Sequence, residues 1–421
     1  MSGAVAAHAA YNGSGTQGLA VTNKIHDDDG DVMSVFWNKN DTTRQLLFGS
    51  AFVEVPSSGG SGTSAITTDN SVIFDVNNDI DCLGDMFLNV KYTNTNAGAT
   101  KSITPQQLAV IVNRIEIQVG TQIWQTFENA DLLALASTEL SSGSFADFCF
   151  QTSGGVEYGN QFINGAPGTV AANGVANAYL PIKLFTKTLG PLLENFAEQT
   201  ESGYLMAAAP HQSVKIKVYT HNSAATPNEG NLELALYAKN QVMCNEEREQ
   251  MKAMPMGLPK RLKMTQNKSY SIAAANSSSL DIDLDIFSLY ASHIIISIPK
   301  GTLTVATLYS GYAELLLNSS SFSGKLPLGL LKLTGSSMGL FTNEYWDSTG
   351  SNSANFTFVF PLASRAYGGS SVPLNRFDNI RLKLTGLPAS SGLAVGNIVN
   401  VTCVGETTAL YKSGAASLAM Y

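Results

Sequence analysis

The sequence predicts an all-β protein made of two tandem sandwich domains with few short helices. Three observations predict it. Short runs that alternate apolar and polar residues recur between loops rich in Gly, Ser and Asn, which is the pattern of half-buried strands. The 421 residues exceed what one ordinary core organises and fit two domains of roughly 200 residues each. Finally, the strand pattern restarts after a charged, proline-bearing segment near the middle of the chain.

In chain order, residues 1–30 are rich in Gly, Ala and Ser without apolar periodicity, and read as a flexible arm. Order begins near Met33-Ser-Val-Phe-Trp37. Ser71–Val76 alternates, and Met86–Tyr92 is a second strand. Asn113–Val119 places Ile115, Ile117 and Val119 on one face and Arg114, Glu116 and Gln118 on the other. Gly120-Thr121 then turns it into Gln122–Phe127. Two segments have helical character: Asn129–Leu140 by its apolar spacing, and Gly190–Gln199, with Pro191 near its start. Met243–Met256 holds Glu246, Glu247, Arg248, Glu249 and Lys252, and Pro255, Gly257 and Pro259 punctuate its end. It reads as a connector. The predicted organisation is an arm at 1–30, a first domain at 31–242, a connector at 243–259, a second domain at 260–410 and a tail at 411–421.

The two halves share a layout. His211-Gln-Ser-Val-Lys-Ile-Lys-Val218 and Phe377-Asp-Asn-Ile-Arg-Leu-Lys-Leu384 repeat the same order of polar, apolar and basic residues 166 positions apart. Upstream of each lies an apolar strand with a proline, Tyr179–Phe185 and Phe356–Leu362. Near each start, an Asp-bearing strand precedes an apolar one: Phe74–Val76 then Met86–Val90, and Leu280–Ile286 then Ile294–Ile298. Their shared order points to an internal duplication.

Composition narrows function. Hydrophobic residues make up 44% of the chain and charged residues only 14%, against about 25% in a typical globular protein. A neutral polar surface is buried against other subunits without desolvating many charges. The formal net charge of −8 argues against direct nucleic-acid binding, which needs clustered Lys and Arg. Lys260, Arg261 and Lys263 gather in what reads as a solvated turn. Cys82, Cys149, Cys244 and Cys403 are far apart, with neither a C-x-x-C pair nor metal-ligand spacing, and read as mostly buried, reduced thiols. No signal peptide and no membrane-spanning apolar run is evident, so a soluble protein synthesised inside a cell is expected.

No motif points to catalysis, a cofactor or a metal. Gly13-Ser-Gly-Thr-Gln-Gly18 matches a dinucleotide fingerprint but lacks the strand before it and the helix after it. His26-Asp-Asp-Asp-Gly-Asp31 fails calcium-loop spacing at Val32 and Asn38. Asp281, Asp283 and Asp285 alternate with Leu280, Ile282, Leu284 and Ile286, which reads as a wet strand face whose like charges discourage unwanted pairing. His8, His26, His211, His221 and His293 are scattered. Glu128, Asp131 and Glu139 are the acids nearest to a paired-carboxylate pattern and read as helix capping and solubility. The sequons at Asn12, Asn40, Asn267, Asn276, Asn318, Asn355 and Asn400 suit a chain so rich in Asn, Ser and Thr.

Four segments carry a family resemblance. Val112–Ile123, running on to Ser137-Thr-Glu-Leu140, resembles the first-domain signature of the double jelly-roll major capsid proteins of nucleocytoplasmic large DNA viruses and their virophage and polinton-like relatives. Tyr204–Val218 is similar to the family's G-L-A-L-P-L-I-A-L-x-x-H-E-V-K-I segment. Leu374–Thr385 is similar to N-F-S-R-I-D-N-V-R-L-K-L, and Leu410–Tyr421 resembles the C-terminal R-x-x-S-G-x-x-G-L-A-Y. They run in family order, with residues 190–203 inserted and the N-terminal motif reduced to Val35–Arg44.

The resemblance implies two eight-stranded jelly rolls side by side, in a major capsid protein that forms trimeric, pseudo-hexagonal capsomers of an icosahedral double-stranded DNA virus shell. Its implied partners are two further copies, neighbouring capsomers, penton and minor capsid proteins, and the lipid membrane that family members commonly enclose. Its implied place is the virion. Gly154–Ala178 and Leu308–Gly350 are expected as long exposed loops, and the 1–30 arm as an inner-side tether. A carbohydrate-binding or carbohydrate-cleaving sandwich is the alternative; it predicts a concave face with exposed aromatic residues and paired acids, whereas the three Trp, Trp37, Trp124 and Trp346, are not clustered in sequence.

Overall fold

Alternating burial shows where the sequence pattern becomes sheet. Along Val214–Thr220, Val214, Ile216, Val218 and Thr220 are buried, and Lys215, Lys217 and Tyr219 lie half-buried on the opposite face. The computed structural model describes residues 50–59, 63–65, 69–76, 80–99, 101–103, 111–139, 151–152, 168–182, 188–189, 199–200, 205–206, 213–221, 229–241, 258–275, 277–299, 310–338, 340, 345–346, 354–363, 371–387, 393, 395–412 and 415–419.

The first sandwich contains β1 (Ser50–Val55), β2 (Asn70–Val76), β3 (Cys82–Thr93), β4 (Val112–Val119), β5 (Gln122–Glu128), helix α1 (Asn129–Glu139), β6 (Val175–Ile182), β7 (Val214–Thr220) and β8 (Asn231–Gln241). They form two antiparallel sheets, ordered β1-β8-β3-β6 and β2-β7-β4-β5. The second sandwich contains β9 (Leu258–Ser271), β10 (Ser279–Asp283), β11 (Tyr290–Pro299), β12 (Tyr312–Leu317), β13 (Ser320–Ser321), helix α2 (Leu328–Ser337), β14 (Ala354–Pro361), β15 (Ile380–Thr385) and β16 (Ile398–Lys412). Its sheets are β9-β16-β11-β14 and β10-β15-β12-β13. Short strands extend these sheets at their ends; Ala415–Ala419, for instance, pairs with β16.

The chain thus threads the same path twice, crossing between facing sheets in the same order, and each eight-stranded unit is a jelly roll. The repeats read from sequence occupy equivalent strands. Val214 and Ile380, 166 residues apart, open β7 and β15. Tyr179–Ile182 of the first proline-bearing run lies in β6 and Phe356–Pro361 of the second in β14, and the Asp-bearing strands are β2 and β10. Each sandwich has its own core. Phe74, Leu88, Ile117, Phe127 and Leu236 are buried in the first, and Ile294, Ile296, Phe356, Phe358, Phe360 and Leu382 in the second. Removing each such side chain from water contributes about 1.5–3 kcal/mol.

Several expectations change. Within Leu308–Gly350, the described stretch 310–338 is not an exposed loop: it holds β12, β13 and α2, with Leu315, Leu328 and Leu331 buried. Within Gly154–Ala178, Gly168–Val170 pairs with Lys101–Ile103, and Val175 opens β6. The basic cluster lies in β9 rather than a turn, and Lys263 is buried. The Asp-bearing strand ends at Asp283, so Ile286 falls outside the alternation and is exposed. Glu116 is buried on the supposedly wet face of β4, held by Arg114 at 3.1 Å and by the Tyr219 hydroxyl at 3.1 Å. The arm, the motifs at 13–18 and 26–31, and the connector segment 243–257 lie outside the described residues. So does the 190–198 part of the second predicted helix; its last residue, Gln199, pairs as strand with Leu189.

Candidate assembly interface

The two sandwiches meet where α1 lies on the outer face of the β9-β16-β11-β14 sheet. Local chemistry fixes the helix start. The Asp131 carboxylate reaches back to accept the backbone N–H of Glu128 at 3.2 Å, which is half of a capping box. The Asn129 amide donates to the Val112 carbonyl at 2.9 Å and ties the helix to β4. Leu132, Leu133 and Leu135 are buried in an apolar cluster that continues into the second sandwich through Ile295, Val359 and Val404. Met338 and Leu340, just beyond α2, join the same cluster.

A polar layer is built into this contact. Gln125 donates to the Thr265 hydroxyl at 2.8 Å, and the Thr402 hydroxyl donates to Asp131 at 3.2 Å. Ser137 and Thr357 place their hydroxyl oxygens 3.5 Å apart. All six side chains are buried, so these bonds fix the register of the two bodies in a place water does not reach. As a consequence β11 is covered on both faces, and every residue from Ala291 to Pro299 is buried. Its run Ile294-Ile-Ile296 breaks the alternation of a half-buried antiparallel strand, and that break is the sequence signal for a second covered face.

Burial dominates the electrostatics here. Desolvation raises the Asp131 carboxyl from its ordinary 3.8 to about 7, against the stabilising bonds from the Glu128 N–H and the Thr402 hydroxyl. Asp131 therefore caps the helix, as the sequence suggested, but does so as a buried anchor rather than as a solubilising charge. Burial also pushes the Cys403 thiol far up, with the Asp131 charge adding to it. Cys403 is free and buried.

Of the other acids singled out in the sequence, Asp281 and Asp283 sit exposed on β10 opposite buried Leu280 and Ile282. Asp281 meets Arg381 at 3.4 Å with both side chains exposed, a pair worth about 0–1 kcal/mol. Asp285 accepts the Ile380 N–H at 2.6 Å. These are structural bonds along a sheet edge. His293 is buried, with Nδ1 2.8 Å from the Ser292 hydroxyl, and His221 lies in the other sandwich. Among the described residues, no group of three His, Cys, Asp or Glu is placed to hold a metal. Trp124 is 2% exposed, and Asn355 is fully buried within β14. No helix among the described residues is long and apolar enough to cross a membrane.

Two jelly rolls in one chain, joined through the first unit's helix, define a double jelly-roll protein. That fold is shared with viral major capsid proteins. PBCV-1 VP54, as fitted into a reconstruction of the virophage Sputnik, superposes with a TM-score of 0.64 at 12% identity, over 89% of this chain and 97% of that one. The quasi-atomic PBCV-1 virus capsid gives 0.63 at 12% identity, over 89% and 97%. The Faustovirus major capsid protein gives 0.51 at 9% identity, over 94% and 98%. At such identities the likeness is one of fold. No family model and no curated protein sequence matches the chain.

Proposed function

We propose that the chain is a major capsid protein, the structural subunit of trimeric, pseudo-hexagonal capsomers in the icosahedral shell of a double-stranded DNA virus. One observation carries the reading: two sandwiches with the same strand path are locked side by side through a buried contact. Each chain then offers two near-equivalent bodies, so three chains present six around a ring and fill a six-neighbour site in a lattice. In this reading the work is assembly rather than catalysis. The partners are two further copies, adjacent capsomers, penton and minor capsid proteins, and an internal membrane.

The division into an arm (1–30), first jelly roll (31–242), connector (243–259), second jelly roll (260–410) and tail (411–421) belongs to the same proposal, with β9 reaching back to Leu258 and β16 running on to Lys412 at the second unit's borders. The arm runs along the inner side to neighbouring capsomers. The protein is made inside the host cell and ends in the virion.

Electron microscopy of the purified full chain tests the reading. Class averages should show a three-fold particle with a six-lobed outline. Averages of isolated two-lobed particles would contradict it.

A further inference from the structure

The outer faces of the two corresponding sheets differ. In the second sandwich this face is covered by α1 and buries Thr265, Ile295, Val359, Thr402 and Val404. In the first, the same face of β1-β8-β3-β6 carries Phe52, Phe87, Tyr179 and Tyr237, which alternate with the core residues Leu88, Leu180 and Leu236. Register sets them side by side. Tyr237 pairs with Phe87, and Asn89, two residues on, pairs with Tyr179. The rings of Phe52 and Phe87 meet edge to face at 5.6 Å. Phe52 is nonetheless 56% exposed, and the other three are only half-buried. Among the described residues, no element covers this aromatic surface as α1 covers its counterpart.

The two helices show the complementary difference. Both lie between the fifth and sixth strands of their jelly roll, and both carry Leu-Leu-x-Leu: Leu132-Leu133-Ala134-Leu135 and Leu330-Leu331-Lys332-Leu333. In α1 all three leucines are buried. In α2, Leu331 is buried in its own core, while Leu330 is 42% and Leu333 68% exposed. Exposed leucines at a spacing of three lie on one side of a helix. Among the described residues, one helix face and one sheet face are thus left uncovered, the two halves of a contact the chain makes internally.

We propose that Leu330 and Leu333 of α2 seat on the Phe52, Phe87, Tyr179 and Tyr237 face of a second copy of this chain, repeating between copies the contact that α1 makes within one. The proposal rests on the capsomer reading and names its interface. Each copy supplies one helix face and one sheet face, so the contact is heterologous and runs head to tail. Alternating internal and external contacts of the same kind pass through six bodies, and the ring closes after three chains. Burial of the two leucines and the aromatic rings drives the association.

Sedimentation velocity of the full chain tests the pairing with Leu333→Asp and Phe52→Asp, both at exposed positions. The unaltered chain is expected as a three-chain species, and each variant alone as a folded single chain by circular dichroism. Mixing the two variants should give a two-chain species and no three-chain one, because only one intact helix face and one intact sheet face meet. The milder Leu333→Ser and Phe52→Ser, which keep the fold if the charges do not, should weaken assembly by about tenfold or more, as lost apolar contact demands. A three-chain species from either Asp variant alone, or from their mixture, overturns the pairing and leaves the capsomer reading standing. A single-chain unaltered protein overturns both.

Discussion

The Asp131 carboxylate, on the helix of the first jelly roll, accepts the hydroxyl of Thr402, on the last long strand of the second, at 3.2 Å with both side chains buried. The residues are 271 positions apart, so the bond exists only when both sandwiches are formed and docked. A carboxylate in such a place loses solvation that two hydrogen bonds return only in part, which is why its proton is held to about pH 7.

That shift makes stability depend on pH. The unfolded chain releases the Asp131 proton near 3.8, and the folded chain retains it to about 7. Between those values the folded state binds more protons, so this group's contribution to stability falls as pH rises and levels off above about 7. Asp131→Asn keeps the shape and removes the titration. Calorimetric melting from pH 5 to 8 should show a flatter profile for the variant, and an unchanged slope would assign the dependence elsewhere.

The Gln125–Thr265 bond joins the sandwiches a second time. Thr265→Val removes the acceptor at nearly constant shape and leaves the buried Gln125 amide without that partner. A loss of about 1–3 kcal/mol is expected in urea unfolding, the cost of a buried polar group left unsatisfied. A variant indistinguishable from the parent would show that the amide finds another acceptor at no cost.

Cys403 should resist alkylation in the native protein, because burial disfavours its thiolate and blocks approach. Peptide mapping after iodoacetamide treatment should find Cys403 modified only at denaturant concentrations that unfold the second jelly roll. Labelling at a rate near that of a free thiol in native buffer would place the residue at a surface.

Gly230 sits at φ +130°, a conformation that favours glycine, at the turn into β8. A Cβ there would lie 2.2 Å from the Tyr92 ring and 2.8 Å from the Thr93 carbonyl. The ring cannot move freely, since its hydroxyl donates to the Glu229 carbonyl at 2.7 Å. Gly230→Ala should cost more than about 1 kcal/mol in urea unfolding, beyond the usual gain from stiffening the unfolded chain. A midpoint equal to the parent's would contradict the steric account.

Much of this architecture is legible in the sequence, because a half-buried strand must alternate. Val214–Val218 and Ile380–Leu384 show the alternation plainly, and their order relative to the proline-bearing and Asp-bearing strands exposes the repeated path. The contact between the sandwiches is much less legible. Asp131 looks like an ordinary first-turn acid, and Gln125, Thr265 and Thr402 look like surface residues of half-wet strands. Their burial depends on a second body placed over the sheet, and no local pattern encodes that body except the unbroken Ile294-Ile-Ile296 run. Leu308–Gly350 misled for a related reason. Its Gly and Ser content reads as loop, while Leu315, Leu328 and Leu331 are anchored in the core by contacts distant in sequence.

We propose an assembly unit whose two jelly rolls serve a ring of six, and native mass spectrometry of the full chain weighs that ring itself. A species of about 134 kDa, three times the 44.6 kDa chain, that survives mild heating is expected. A 44.6 kDa monomer at every concentration, with a melting temperature raised by added glycans, would contradict it in favour of a carbohydrate-binding sandwich.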